Sequence, residues 1–240
     1  MRLKSVRLLK AIQLNLSLFN RFHNDTETLM KAKKLDIIVL ISGSGSNLQA
    51  FIDQSNELNI NIKAVISNKA DAYGIERAKQ ANIATLIIPH QNYDSREEFD
   101  HFLQSEIDKI KPDLIVLAGF MRILSAEFVN HYQDKILNIH PSLLPKYKGL
   151  NTHQRAIDAN DAYHGASVHV VTAELDDGPV IIQGRLGVSP GDTAASLRQK
   201  IHQIEHKIYP QAIKWIANGD IKLYQGKVIE ARALDRLISI

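Results

Sequence analysis

Short, continuous apolar runs alternate along this chain with segments whose apolar residues recur every three or four positions. That alternation constrains the fold more than any other feature of the sequence. The first run is Asp36–Ser42 (DIIVLIS). It is apolar at successive rather than alternate positions, as in a strand covered on both faces of a parallel sheet. Ser46–Asn56 then has helical spacing through Leu48, Phe51 and Ile52. Ile62–Ser67 reads as the next strand, Ala72–Gln80 as the next helix, and Ala84–Ile88 as a third strand ending at Pro89. Asp94 and Ser95 can cap a helix in which Phe99, Phe102, Leu103, Ile107 and Ile110 form the apolar stripe. Asp113–Ala118 (DLIVLA) and Lys135–His140 (KILNIH) give a fourth and a fifth strand, joined by a further helix. This order predicts an α/β fold built on a doubly wound, mainly parallel sheet. Downstream, a short helix near Thr152–Ala159 precedes strands near Ala166–Thr172 and Val180–Leu186. A long helix near Thr193–Ile216 follows, with Leu197, Ile201, Ile204 and Ile208 as its buried stripe, and then a terminal pair of short strands.

No repeat, low-complexity tract or long linker divides residues 35–240, so a single domain is expected there. Residues 1–34 differ. Arg2, Lys4, Arg7, Lys10 and Arg21 lie among Leu and Ile, and polar residues interrupt the apolar stretch a signal peptide needs. Met30 lies just before the first strand, which favours a dispensable extension or a start-site artefact over a targeting arm. The formal net charge is +3, with much of the excess in that segment, so charge gives no argument for nucleic-acid binding. There are no cysteines, which excludes disulfides and thiolate chemistry and allows a reducing cytoplasm. No run approaches the roughly 18 apolar residues of a membrane span.

In an open parallel sheet, ligands bind beyond the carboxyl ends of the strands where strand order reverses. The first strand runs there into Ser42-Gly43-Ser44-Gly45-Ser46-Asn47. Glycines let a backbone turn tightly and approach a ligand, and N–H groups at a helix start attract anions. A dinucleotide fingerprint fails, because Leu48 stands where its third glycine belongs and the second strand ends at Ser67-Asn68 without an acid. A Walker loop fails for lack of Gly-Lys-Ser/Thr. Two readings remain: a site for a single phosphate monoester, or a tight strand-to-helix turn with an N-cap serine.

The fifth strand delivers Asn138-Ile139-His140-Pro141-Ser142-Leu143-Leu144-Pro145. Strand alternation places Asn138 and His140 on one side, about 6–7 Å apart. An amide donor beside an imidazole can stabilise a developing oxyanion and move protons; the alternative is a polar strand end with a hydrogen-bonded core histidine. Asp176 sits in the loop after Thr172. It can be an ordinary turn acid, or it can sit beside His140 and keep the imidazole protonated. His169, inside a strand, reads as a packed or supporting histidine. His131, His153, His202 and His206 lack zinc spacing with a carboxylate, so no metal is expected.

These residues resemble the folate-dependent phosphoribosylglycinamide formyltransferases of purine synthesis, which implies a formyltransferase-type Rossmann-like fold. The likeness runs from about Asp36 to Ile216 through ISGSGSNLQ, SNKADAYGIERA, DSREEFD, LAGFMRILS, NIHPSLLPKYKGL and HGASVHVVTAELDDGPVI. It implies that Gly45, Ser46 and Asn47 bind the ribonucleotide phosphate and that Glu205 makes a further substrate contact. Arg96, Met121, Arg122, Ile123 and Leu124 would bind the formyl donor, 10-formyltetrahydrofolate, with Asn138 at its formyl group. His140 would be the proton donor and Asp176 the carboxylate that keeps it charged. Asp177 departs from the family, which has glycine there, and leaves open which acid faces His140. The resemblance also implies small-molecule substrates, no nucleic-acid or membrane partner, a monomer or homodimer, and a cytoplasmic location.

The implied reaction is direct attack of the glycinamide amine on the formyl carbon, with Asn138 and His140 stabilising the oxyanion. Formyltetrahydrofolate deformylase, a hydrolase, is the alternative, although it carries a larger N-terminal domain. A methionyl-tRNA formyltransferase would need a C-terminal nucleic-acid domain, and about 25 residues follow Ile216. His140→Ala is expected to lower kcat on the order of 10²–10³-fold, as when one oxyanion donor is lost. Steady-state turnover checks this, and near-wild-type turnover would remove His140 from the chemistry.

Overall fold

The computed structural model describes residues 33–239. The expected N-terminal extension therefore lies outside the described residues, apart from its last two positions. The chain order is β1 (Leu35–Ile41), α1 (Ser46–Gln54), β2 (Ile60–Ser67), α2 (Gly74–Gln80), β3 (Thr85–Ile87), α3 (Arg96–Ile110), β4 (Leu114–Leu117) and α4 (Ala126–His131). It continues through β5 (Ile136–His140), α5 (Thr152–Asp158), β6 (Tyr163–Val170), β7 (Val180–Gly187), α6 (Ala194–Ala217), β8 (Ile221–Tyr224), β9 (Lys227–Glu230) and β10 (Leu237–Ser239).

The main sheet runs β10-β7-β6-β5-β4-β1-β2-β3. All neighbours are parallel except β5–β6 and β6–β7, which are antiparallel. The continuous apolar run of β1 has its reason here. Ile37, Val39 and Ile41 pack into one core layer, while Ile38 and Leu40 pack into the other. Each layer has helical cover. Phe99, Leu103 and Ile107 of α3 lie with Ile38 and Leu40, and Leu48 and Phe51 of α1 join Leu197, Ile201, Ile204 and Ile208 of α6 on the opposite face. A strand interior to two layers has no position left for a polar side chain. Ser95 caps α3 by accepting from Glu98 N at 3.1 Å. Phe102, expected in the α3 stripe, is instead 42% exposed, because it sits at the edge of the buried face against Tyr93.

Strand order reverses at β1, which lies between β2 and β4. The loops leaving β1 and β4 are tied together across that switch point. Ser42 N donates to Gly119 O at 3.1 Å, and Met121 N donates to Ser42 Oγ at 2.8 Å. The terminal strand pair is the hairpin β8–β9. The sequence reading missed β10, which joins β7 in parallel through Leu237–Ser239. Three residues with one intermediate and two exposed positions carry too little pattern to announce a strand.

Helix α6 crosses β7 at Gly184, where a Cβ would stand 2.2 Å from the Ile204 Cγ2. Further along, the fully buried Tyr209 hydroxyl lies 3.0 Å from Leu117 O and 3.1 Å from Leu137 O, bridging β4 and β5. Tyr209→Phe removes a buried donor from both carbonyls and is expected to cost about 1–2 kcal/mol. Urea unfolding of the two proteins measures it, and an unchanged midpoint would mean the bridge contributes nothing.

Candidate active site

At the switch point, Gly45 adopts the left-handed conformation (φ 70°) and caps α1 with no side-chain bond. The cap is thus a glycine, not a serine, and the first N–H groups of α1 are left to face outward. Asn47, on the first turn, is buried. Its Nδ2 donates to Glu205 Oε2 at 3.0 Å, and its Oδ1 has no partner. Glu205 projects from α6, and burial pushes its carboxyl above the ordinary range, against the opposing effect of the Asn47 bond. The structure therefore joins the Gly45-Ser46-Asn47 turn, through Asn47, to Glu205, 158 positions away in the chain.

The second group forms where β5 ends. Antiparallel pairing sets Asn138 directly opposite His169 and His140 opposite Ser167. Asn138 Nδ2 lies 3.2 Å from His169 Nε2, and His169 Nδ1 lies 2.9 Å from Val170 O. A carbonyl can only accept, so Nδ1 carries the hydrogen and Nε2 accepts from the asparagine amide. Burial lowers the His169 pKa and favours this neutral ring. His140 is 6% exposed. Its Nε2 is 2.8 Å from Tyr147 O, and its Nδ1 is 3.3 Å from Asp176 Oδ2. Each ring nitrogen thus has an oxygen partner for a proton.

Asp176 reaches this position because its own backbone is left-handed (φ 50°), which a short polar side chain tolerates better than most. Gly149 N donates to its Oδ2 at 3.0 Å, and its Oδ1 is 3.7 Å from His169 Nε2. One carboxylate therefore touches both histidines. Asp177 faces away and pairs with Lys148 at the surface. The acid beside His140 is Asp176.

The expected folate-binding residues are spread more widely. Arg96 begins α3 with its guanidinium on Glu97 at 3.1 Å. Met121 and Ile123, in the loop after β4, are 71% and 57% exposed and present apolar surface at the switch point. Arg122 stacks over the Phe99 ring at 4.4 Å, and its buried Nε has no partner. The Leu124 side chain belongs to the core layer under α3, so it offers a ligand little besides its backbone. Sequence reasoning left His169 as a packed or supporting histidine, without the partner it supports. Its signal was present in the alternation of β6, but pairing register, which sequence does not print, is what sets it against Asn138.

A profile of the formyl transferase family matches residues 35–213. The chain belongs to that family. It is 53% identical over 193 residues to the phosphoribosylglycinamide formyltransferase of Escherichia coli, covering 80% of this chain and 91% of that protein. The Haemophilus influenzae protein of the same name is 46% identical, with 78% and 89% covered. Among solved structures, the phosphoribosylglycinamide formyltransferase of Coxiella burnetii superposes with a TM-score of 0.80 at 51% identity, covering 86% of this chain and 99% of that one.

The contrast between the two adjacent acids is testable. Asp176→Asn is expected to lower kcat roughly 10²–10⁴-fold, the range for losing a group engaged in proton transfer. Asp177→Asn, which breaks an exposed pair worth about 0–1 kcal/mol, should leave kcat within a few-fold. Comparable losses in both variants would contradict the assignment.

Proposed function

We propose that this chain transfers the formyl group of 10-formyltetrahydrofolate to the amine of 5-phosphoribosylglycinamide in purine synthesis. The observation that carries the reading is the cluster of Asn138, His140 and Asp176 at a strand end, on the same edge of the sheet as the glycine loop. Such a loop suits a phosphate monoester, and the cluster suits acyl transfer to an amine. The family relationship supports the pairing of these two subsites.

In this mechanism the substrate amine attacks the formyl carbon, and negative charge gathers on the formyl oxygen. Asn138 can donate its second amide hydrogen to that oxygen, because His169 holds the first. His140 donates from Nδ1, the nitrogen that faces Asp176, while Tyr147 O holds Nε2 and fixes the ring. The carboxylate thus lies beside the proton that moves. Collapse then breaks the carbon–N10 bond, and the proton released by the amine is delivered to N10. No covalent bond to the protein forms. Fixed donors aimed at the developing charge do most where water is excluded, and His140 and Asp176 are both buried.

Glu205 and Asn47 would meet the sugar or phosphate. Arg96 and Arg122, with the exposed Met121 and Ile123, would receive the folate, its carboxylates against cations and its rings against apolar surface. Residues 35–240 would act as one domain with residues 1–34 as an extension to it, in the cytoplasm where small soluble substrates are met. Hydrolysis of the formyl donor is the less favoured reading, since the related proteins are named as transferases.

The test supplies 10-formyltetrahydrofolate with and without the ribonucleotide and follows loss of the formyl group. Turnover that requires the ribonucleotide is expected. Equal turnover in its absence would assign a hydrolase instead.

A further inference from the structure

The glycine loop does not hold its shape alone. Its carbonyls are taken up, one after another, by α2. Gly74 N donates to Gly43 O at 3.0 Å, and Arg77 Nε donates to Ser44 O at 2.8 Å. The next carbonyl, Gly45 O, accepts from Gln49 N at 2.9 Å within α1. Contact at this corner is close. A Cβ on Gly45 would lie 2.7 Å from Gly74 Cα, and one on Gly74 would lie 2.5 Å from Ile41 Cδ1. Both glycines are required for α2 to approach the loop.

In a trans peptide the C=O and the following N–H point in opposite directions. The Leu144–Pro145 bond is the cis peptide recorded among the described residues, so the loop peptides are trans. Pinning Gly43 O and Ser44 O toward α2 therefore aims the N–H groups of Ser44 and Gly45 to the opposite side. The Gly45 carbonyl points along α1, so the Ser46 N–H points back out of the helix start. Among the described residues, the N–H groups of Ser44, Gly45, Ser46 and Asn47 have no hydrogen-bond partner. The buried Asn47 Oδ1 beside them is unpartnered as well, and as an acceptor it suits a ligand hydroxyl, not the anion itself. Successive unpaired N–H groups around a left-handed glycine form an anion-binding concavity.

Arg77 does more than pin one carbonyl. Its Nη1 donates to Gln49 Oε1 at 2.9 Å, and its guanidinium stacks on the Tyr73 ring at 5.0 Å. The planar group is thus fixed from three sides, bracing the loop to the first turns of α1. A cation bonded to a carbonyl also polarises that peptide and makes its N–H a stronger donor. We propose that Arg77 is the positioning residue of the phosphate subsite: by holding the Ser44 carbonyl and bracing Gln49, it aims and strengthens the backbone donors that take the phosphate of the substrate. It acts through the peptide, from the face opposite the anion. Neither the glycine pattern nor the site residues expected from sequence include it. The inference rests on the reading of the loop as a phosphate site for a phosphorylated amine.

Two measurements test it on the full chain. The first is binding of inorganic phosphate, followed by calorimetry, which requires no assumption about the reaction. The second compares KM for 5-phosphoribosylglycinamide with KM for its unphosphorylated analogue, ribosylglycinamide. In Arg77→Met, phosphate affinity is expected to fall and KM for the phosphorylated amine to rise about tenfold, as when one charge-assisted hydrogen bond is lost. KM for the unphosphorylated analogue and kcat should change less than about twofold. Arg77→Lys keeps the charge on Ser44 O but cannot brace Gln49 at the same time, and should recover part of the loss. Gln49→Ala, on an accessible helix face and compatible with folding, should weaken phosphate in the same direction by a smaller factor. Unchanged phosphate affinity in Arg77→Met, or equal losses on the two amines, would overturn the proposal. If Arg77→Met weakens phosphate binding but the wild-type protein formylates neither amine, the reaction assignment fails and the role of Arg77 stands.

Discussion

The site depends on the antiparallel seam between β5 and β6. Parallel pairing up to β5 brings Asn138 and His140 to the carboxyl-end edge of the sheet, but gives their side chains no partners. When β6 runs back beside β5, register places His169 against Asn138. The turn that follows β6 then returns over the same edge, and the left-handed backbone of Asp176 swings a carboxylate between the two imidazoles. Shifting β6 by one residue would move His169 to the other face of the sheet, because side chains alternate with period two. One seam thus determines whether these polar groups are a cluster or four unrelated residues.

Burial then gives the cluster its character. His140, His169 and Asp176 are almost fully removed from water, where an unpaired polar group is costly and a paired one is strongly held. The pairs are made by backbone as much as by side chains. Tyr147 O, Val170 O and Gly149 N each fix one member. Helix α6 does the same for the neighbouring subsite: its apolar stripe packs on the sheet, Tyr209 ties β4 to β5, and Glu205 reaches Asn47. A single helix therefore supports both the framework and the binding groups.

Much of this was legible in the sequence. DIIVLIS and DLIVLA read as buried central strands because they sit between two packed layers and admit no polar position. The stripe of α6 was equally plain, since Leu197, Ile201, Ile204 and Ile208 are all fully buried. Asn138 and His140 followed from strand alternation, while Asp176 beside His140 required either the family resemblance or the fold. What stayed hidden depends on pairing between distant segments. The antiparallel turn at β6, the β10 strand, the contact of His169 with Asn138 and the bracing of the glycine loop by Arg77 have no local signature. The Asp177 question was of the same kind, and Lys148, 29 positions away, answers it by drawing Asp177 to the surface.

If the β5–β6 seam makes these side chains one unit, Asn138 and His169 must be energetically coupled in turnover. A double-mutant cycle on kcat measures that coupling. His169→Ala alone should lower kcat about tenfold, and in the Asn138→Ala background it should lower it less than about twofold, since the amide it positions is gone. Fully additive losses would show that His169 acts independently of Asn138, and would contradict the arrangement described.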